Sequence, residues 1–215
     1  MIDTKSLILS LVSDAKPVKY LRPPIYSALF LFVILLIYGI ITQSFSGIRA
    51  DIVLQLHRPF FVVEILSLIL LIFTSAIAAI LTMYPDAYQK PKLLLLPYWS
   101  FGLLILIIIY QIFIQNKTGI ILPPKEETGW QCCLSIALIS LIPSALIFVI
   151  LHKGASVRQF QSGAFSVLAA SGVGCLTLRI AEATDSLIHL ATWHYLPTII
   201  FAMLGAFIGR IILKW

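Results

Sequence analysis

The chain has 215 residues, of which 60% are hydrophobic and only 11% charged, with a mean hydropathy of +1.02. A soluble domain averages about 25% charged residues, so this composition excludes a soluble globular domain and calls for a single membrane domain. The formal net charge of +6 then reports orientation in the bilayer rather than affinity for nucleic acid, because Lys and Arg collect on the cytoplasmic side of polytopic proteins.

Residues 1–23 form the longest polar piece, a leader ahead of a membrane domain that spans 24–215. Within the leader Ile2, Leu7, Ile8, Leu11, Val12 and Ala15 recur near helical spacing, with Lys5, Ser6, Ser10, Ser13 and Asp14 between them. That pattern predicts a short amphipathic helix over 3–15. Lys16-Pro17 ends it, since the residue before proline avoids the helical region. The run Val18-Lys19-Tyr20-Leu21-Arg22-Pro23-Pro24 follows as an extended, basic approach to the membrane.

Six apolar stretches follow, at 24–43, 60–83, 93–114, 130–151, 160–180 and 194–213, each near the ~20 residues that cross a bilayer as a helix. The first is too long for a signal-peptide core and reads as a retained span. The fold class is therefore all-α, a bundle of six transmembrane helices with a short amphipathic N-terminal helix. Small residues mark close packing: Gly163, Ser166, Ala170, Ser171, Gly172 and Gly174 in span five, and the Gly205-x-x-x-Gly209 step in span six. Pro97, Pro143 and Pro197 lie inside spans, where neighbouring helices tolerate a kink. The spans show no inverted repeat, which argues against a secondary transporter.

Basic residues set the orientation. Lys5, Lys16, Lys19, Arg22, Lys90, Lys92, Lys153, Arg158, Arg210 and Lys214 lie on one side, against Arg49, Arg58, Lys117 and Lys125 on the other. Both termini are expected in the cytoplasm, and the linkers at 44–59, 115–129 and 181–193 are expected outside. This topology gathers scattered residues at the outer end. Cys132 and Cys133 open span four there, and Cys175 and Arg179 lie in the last two turns of span five. Glu64 sits about one turn below the outer surface, and an intramembrane carboxylate calls for a partner; Arg179, at similar depth, is its expected ion-pair partner.

The outer thiols suit an oxidant or soft-metal sensor, set against the ordinary use of Cys as a small apolar core residue. Arg179 follows Cys175 by four residues and would favour its thiolate. In the last outer linker Glu182, Asp185 and His189 are candidate metal ligands. They would share one face if that linker were helical, with His194 and His57 close in depth; the plainer reading is a solvated face. No HExxH, GxSxG, nucleotide-binding glycine loop or CxxC occurs, so neither catalysis nor a cofactor is expected.

The leader with Pro17-Val18-Lys19 and Leu21-Arg22-Pro23-Pro24 is the first part of a recognisable order. Trp130-Gln131-Cys132, the stretch from Asp185 to Trp193-His194, and the ending Gly205-x-x-x-Gly209-Arg210 with Lys214-Trp215 complete it. In that order they resemble the NrsF family over nearly the whole chain. The resemblance implies a six-span inner-membrane anti-sigma factor of proteobacteria, which holds an extracytoplasmic-function (ECF) sigma factor at the bilayer until envelope stress releases it. It implies a protein partner, with no direct contact to nucleic acid. The sigma-binding residues would then be Leu7, Ile8, Leu11, Val12, Pro17, Lys19 and Arg22 of the cytoplasmic leader. Family members that carry two sensor cysteines have one at the Cys132 site and a second where Glu182 stands here. The competing reading is a small transporter or channel with Glu64 and Arg179 lining a path, for which the leader helix has no use.

Overall fold

The computed structural model describes residues 4–13, 21–118 and 129–214. Helix α1 covers Thr4–Ser13; the remainder of the expected 3–15 helix lies outside the described residues, as do Pro17 and Lys19. Six helices are long and apolar enough to cross a membrane, and no strand occurs among the described residues. They are α2 (Pro24–Ser46), α4 (Pro59–Thr82), α5 (Pro91–Thr118), α6 (Trp130–Leu151), α7 (Gln159–Ala181) and a composite sixth span. A short α3 (Ile52–Leu56) fills the link between the first two spans. The chain is a multi-pass membrane protein, with broad apolar surface left for lipid. Ile25, Leu29, Val33, Leu36 and Ile40 on α2 and Leu138, Leu141 and Val149 on α6 are all exposed, far more than a soluble monomer leaves to water.

Proline starts several of these helices, at Pro24 and Pro59. Its missing N–H costs nothing in a first turn, and its fixed φ suits the helix. Pro97 and Pro143 sit inside α5 and α6. The third proline site differs from the expectation. The sixth span starts at Leu187 rather than 194, with a single helical turn α8 (Leu187–His189), a π-helical turn over Leu190–Tyr195, and then α9 (Leu196–Ile212). Pro197 thus lies in the first turn of α9. It cannot donate to the carbonyl one turn back, and its ring crowds that carbonyl, which gives the wider turn ahead of it a local cause.

Helices α4 and α7 form the buried centre. Ser162, Gly163, Ser166, Ala170, Gly172 and Gly174 of α7 are all buried. At the crossing with α9 there is no room for side chains: a Cβ on Gly163 would collide with the Gly205 backbone, and one on Gly209 would lie 2.7 Å from Gly163 Cα and 2.6 Å from Gln159 O. Without a hydrophobic drive between helices in lipid, such backbone-to-backbone packing supplies the association. Hydroxyls join other pairs: Thr74 Oγ1 to Ser100 Oγ at 2.9 Å between α4 and α5, and Tyr38 OH to the Ile139 carbonyl at 2.7 Å between α2 and α6.

The spans alternate in direction, so the bundle has two distinct ends. One holds Arg22, Tyr84 and Gly154–Ala155, tied by Tyr84 OH donating to the Arg22 carbonyl and Ala155 N to the Met83 carbonyl at 3.0 Å. The distal end holds α3, the start of α6 and the link from α7 to α8, tied by Arg49 N to the Ile180 carbonyl at 3.0 Å.

Candidate functional site

Polar side chains converge at the distal end, on an extended five-residue connector, Glu182–Ser186, between α7 and α8. The connector begins where the Glu182 N–H closes on the Leu178 carbonyl at 2.7 Å. It ends where Ser186 caps α8, its hydroxyl accepting from His189 N at 3.4 Å. Because this piece is extended, Glu182 and Asp185 do not share a helix face with His189. They turn to opposite groups and build two adjoining clusters.

The first cluster is ionic. Arg49 is buried and makes a two-pronged contact with Asp51, Nε to Oδ1 at 2.7 Å and Nη2 to Oδ2 at 2.8 Å. Its Nη1 also donates to Asp185 Oδ1 at 3.1 Å. Gln55, likewise buried, donates to both carboxylates, at 3.0 Å to Asp51 and 2.8 Å to Asp185. Arg179 continues the chain, with Nη1 to Asp185 at 3.3 Å and Nε to Glu64 Oε1 at 3.1 Å. Tyr195 OH donates to the same Glu64 oxygen. The guanidiniums of Arg49 and Arg179 both lie over the Phe61 ring, 5.8 and 4.7 Å from its centroid, a cation–π arrangement that desolvation strengthens. With Arg58 at 3.7 Å from Asp185, Arg49, Arg58 and Arg179 face Asp51, Asp185 and Glu64, and the charges balance. Glu64 and Arg179, expected as an intramembrane pair, are thus in contact. Both are almost fully buried, and Glu64 Oε2 has no hydrogen-bond partner.

Outside the spans the charges hold their partners' ionisation. Burial works to raise the Asp185 pKa, but hydrogen bonding and charge from Arg49, with Arg179 added, outweigh it and hold the group below the usual carboxylate range. Asp51 is held well below that range by hydrogen bonds from Arg49 and then Gln55, and Arg49 is correspondingly raised by Asp51.

The second cluster combines a thiol, a carboxylate and two imidazoles. Cys132, in the first turn of α6, places Sγ 3.5 Å from Glu182 Oε2 and 3.6 Å from His189 Nε2. His189 Nε2 is 3.4 Å from Glu182 Oε1, and His194 Nε2 is 3.2 Å from Glu182 Oε2. One donor atom from each of the four residues lies within 4.8 Å of all the others. Burial opposes ionisation of Glu182, yet the neighbouring His194, then Thr184 and His189, pull its pKa down to about 2. His194 is 1% exposed; its Nε2 faces Glu182 Oε2 at 3.2 Å but without hydrogen-bond alignment, and its Nδ1 has no hydrogen-bond partner. A buried polar atom left this way costs about 1–3 kcal/mol.

The π-helical turn is what brings the two imidazoles together. Residues five apart diverge by about 140° on an α-helix, but a π-helix hydrogen-bonds i to i+5 and stacks them. His189 and His194 therefore meet with ring centroids 5.5 Å apart. The same turn packs Trp193 against Gly129, at the start of α6, so closely that a Cβ on Gly129 would overlap the indole. That contact holds the π turn beside Cys132.

The other expected residues fall elsewhere. Cys175 is buried, with Sγ 3.2 Å from Thr198 Oγ1 and 3.4 Å from the His194 carbonyl. Cys133 is partly buried, and no disulfide joins the three cysteines. Arg179 directs its guanidinium to Glu64, Asp185 and the Thr184 carbonyl. His57 is exposed and turns back to the Val53 carbonyl at 2.7 Å. Arg49, Asp51, Gln55 and Tyr195 were not anticipated: the first three lie in a loop and a five-residue helix, where no periodicity singles them out. In the leader, Ile8, Leu9 and Val12 are exposed on α1.

The family model for negative regulators of sigma F, NrsF, matches residues 11–215. No curated protein and no solved structure matches the chain. With all but the first ten residues inside that match, the chain belongs to the NrsF family.

Proposed function

We propose that this NrsF-family chain is an anti-sigma factor of the bacterial inner membrane, which restrains an ECF sigma factor through residues 1–23 and releases it when the distal end registers envelope stress. The family match over residues 11–215 carries this reading. In it, the chain regulates by binding rather than by catalysis. The excess of Lys and Arg at the end holding Arg22, Lys90, Lys153 and Arg210 supports a cytoplasmic leader and a distal end facing outward. Helix α1 supports the contact: Ile8 and Val12 stand exposed on it, and with Leu7 and Leu11 they supply the i, i+1, i+4, i+5 spacing of a helix laid into an apolar groove. Lys19 and Arg22 add charge for an acidic sigma surface or for anionic lipid. At the distal end Cys132, Cys133 and Cys175 are the sensor candidates.

The test is co-purification. Solubilised full-length protein should carry the cognate sigma factor from cells, and a form lacking residues 1–23, inserted to the same level, should not. Retention of the sigma factor by the leaderless form would overturn the reading.

A further inference from the structure

The geometry points to a site for one zinc-type divalent cation at the distal end, held by Cys132 Sγ, Glu182, His189 Nε2 and His194 Nε2. This inference is independent of the sigma-binding reading, because it concerns what the bundle itself binds.

The spacing is the first argument. Metal–nitrogen and metal–oxygen bonds near 2.0–2.2 Å and a metal–sulfur bond near 2.3 Å give tetrahedron edges of roughly 3.3–3.6 Å. The observed separations are 3.2 Å for Glu182 to His194, 3.4 Å for Glu182 to His189, 3.5 Å for Cys132 to Glu182 and 3.6 Å for Cys132 to His189. With Glu182 Oε2 as its donor, three of the six edges of a tetrahedron are already at coordination length, to His194, to Cys132 and from Cys132 to His189; the fourth separation uses Oε1 of the same carboxylate, and the four donors lie within 4.8 Å of one another.

His194 is the second argument. Its side chain is 99% buried and its ring nitrogens lack hydrogen bonds, although Nε2 is aimed at the cluster. A cation at the centre would give Nε2 the aligned partner that the Glu182 carboxylate, 3.2 Å away, does not. The π turn is the third: it is the local feature that brings His189 and His194 into edge-on contact, and such turns recur at functional sites.

Ligand chemistry selects the ion. One thiolate, two neutral imidazoles and one carboxylate carry two negative charges, which a divalent cation cancels. Ca2+ and Mg2+ require oxygen donors throughout, whereas mixed S, N and O donors in a tetrahedron suit Zn2+. All four positions are filled by protein, the arrangement of a structural rather than a catalytic zinc. Cys132 and Glu182 are only partly buried, which leaves the ion a way in. Bound there, it would tie the start of α6, the connector and the π turn to one point.

The test uses the full chain, purified in detergent, stripped with chelator and kept reduced. Titration with Co2+ should saturate at one ion per chain, with a sulfur-to-cobalt charge-transfer band and the strong visible bands of tetrahedral cobalt. Zn2+ should then bleach both. Cys132→Ser should abolish the charge-transfer band, and His194→Ala should weaken Zn2+ binding by about a hundredfold or more. Cys133→Ser and Cys175→Ser should leave the spectrum unchanged. Should Cys132→Ser fail to fold, Glu182→Cys keeps the question open: a second thiolate should raise the charge-transfer intensity per cobalt about twofold. Weak octahedral cobalt bands, a stoichiometry unrelated to one, or a charge-transfer band that survives Cys132→Ser or is unmoved by Glu182→Cys would show the four side chains to be a hydrogen-bonded cluster without a metal.

Discussion

The Glu64–Arg179 contact makes an asymmetric prediction. Breaking a buried ion pair from one side typically costs about 3–5 kcal/mol, because the partner is left charged and unpaired. The two halves are not equally exposed to that penalty. In Glu64→Gln, Arg179 keeps Asp185 at 3.3 Å and the Phe61 ring at 4.7 Å, and the amide oxygen still accepts from Tyr195 OH. Its cost should fall to about 2 kcal/mol. In Arg179→Gln, Glu64 keeps only Tyr195 among its observed charged or hydrogen-bonding partners, and its Oε2 already has none. That cost should stay at about 3–5 kcal/mol. For a chain of this size 1 kcal/mol moves the midpoint by about 2–4 °C. Heating detergent-purified protein and following its monodisperse fraction should therefore show a drop of about 4–8 °C for Glu64→Gln, and a drop at least half as large again for Arg179→Gln. The double variant should lose less than the sum. Full additivity would mean that the two side chains do not meet, and a milder Arg179→Gln would refute the ordering of partners.

Three further outcomes follow from the same structure. Gly209→Ala puts a methyl group against the Gly163 and Gln159 backbones and should lower folded yield several-fold, whereas Gly102→Ala, with nothing within 4 Å of the new Cβ, should be neutral or slightly stabilising; size-exclusion recovery of the two variants checks this. Periplasmic-reporter fusions at 48, 120 and 186 should be active and fusions at 88 and 155 inactive; the reverse pattern would turn the thiol cluster toward the cytoplasm. Leu11→Asp should insert normally, since it touches no span, yet release a sigma-dependent promoter. If it and Leu7→Asp both still silence that promoter, the leader is not the binding element.

Six spans were legible in the sequence because each is a run of about 20 apolar residues, a signal that needs no knowledge of neighbours. The depth of Glu64 and Arg179 was legible for the same reason: position along a span converts to height in the bundle. Azimuth was not. Which side of each helix faces which neighbour depends on packing, so Arg49 and Tyr195 could not be joined to that pair from sequence. His194 was visible only as a residue at the right height. Helical spacing separates it from His189, and only the π turn ahead of Pro197 reunites them. Helical spacing would group Asp185 with Glu182 and His189 on one face; the non-helical connector instead hands it to the arginines.

The two clusters are physically one unit. Glu182 and Asp185 lie three residues apart on a single extended connector, one facing the imidazoles and the other the guanidiniums. His194 and Tyr195 are consecutive on the π turn, one in contact with Glu182 and the other bonded to Glu64 on α4. Consecutive residues on one turn cannot shift independently. A change at Cys132 that pulls on Glu182 or His194 must therefore also strain Tyr195–Glu64 or Arg179–Asp185. The π turn continues without a break into α9, whose Gly205 and Gly209 ride directly on the α7 backbone at the opposite end. Backbone-to-backbone packing of that kind has little side-chain slack to absorb a displacement. Helix α9 thus joins the distal cluster, through its backbone contact with α7, to the end of the bundle that holds Arg22.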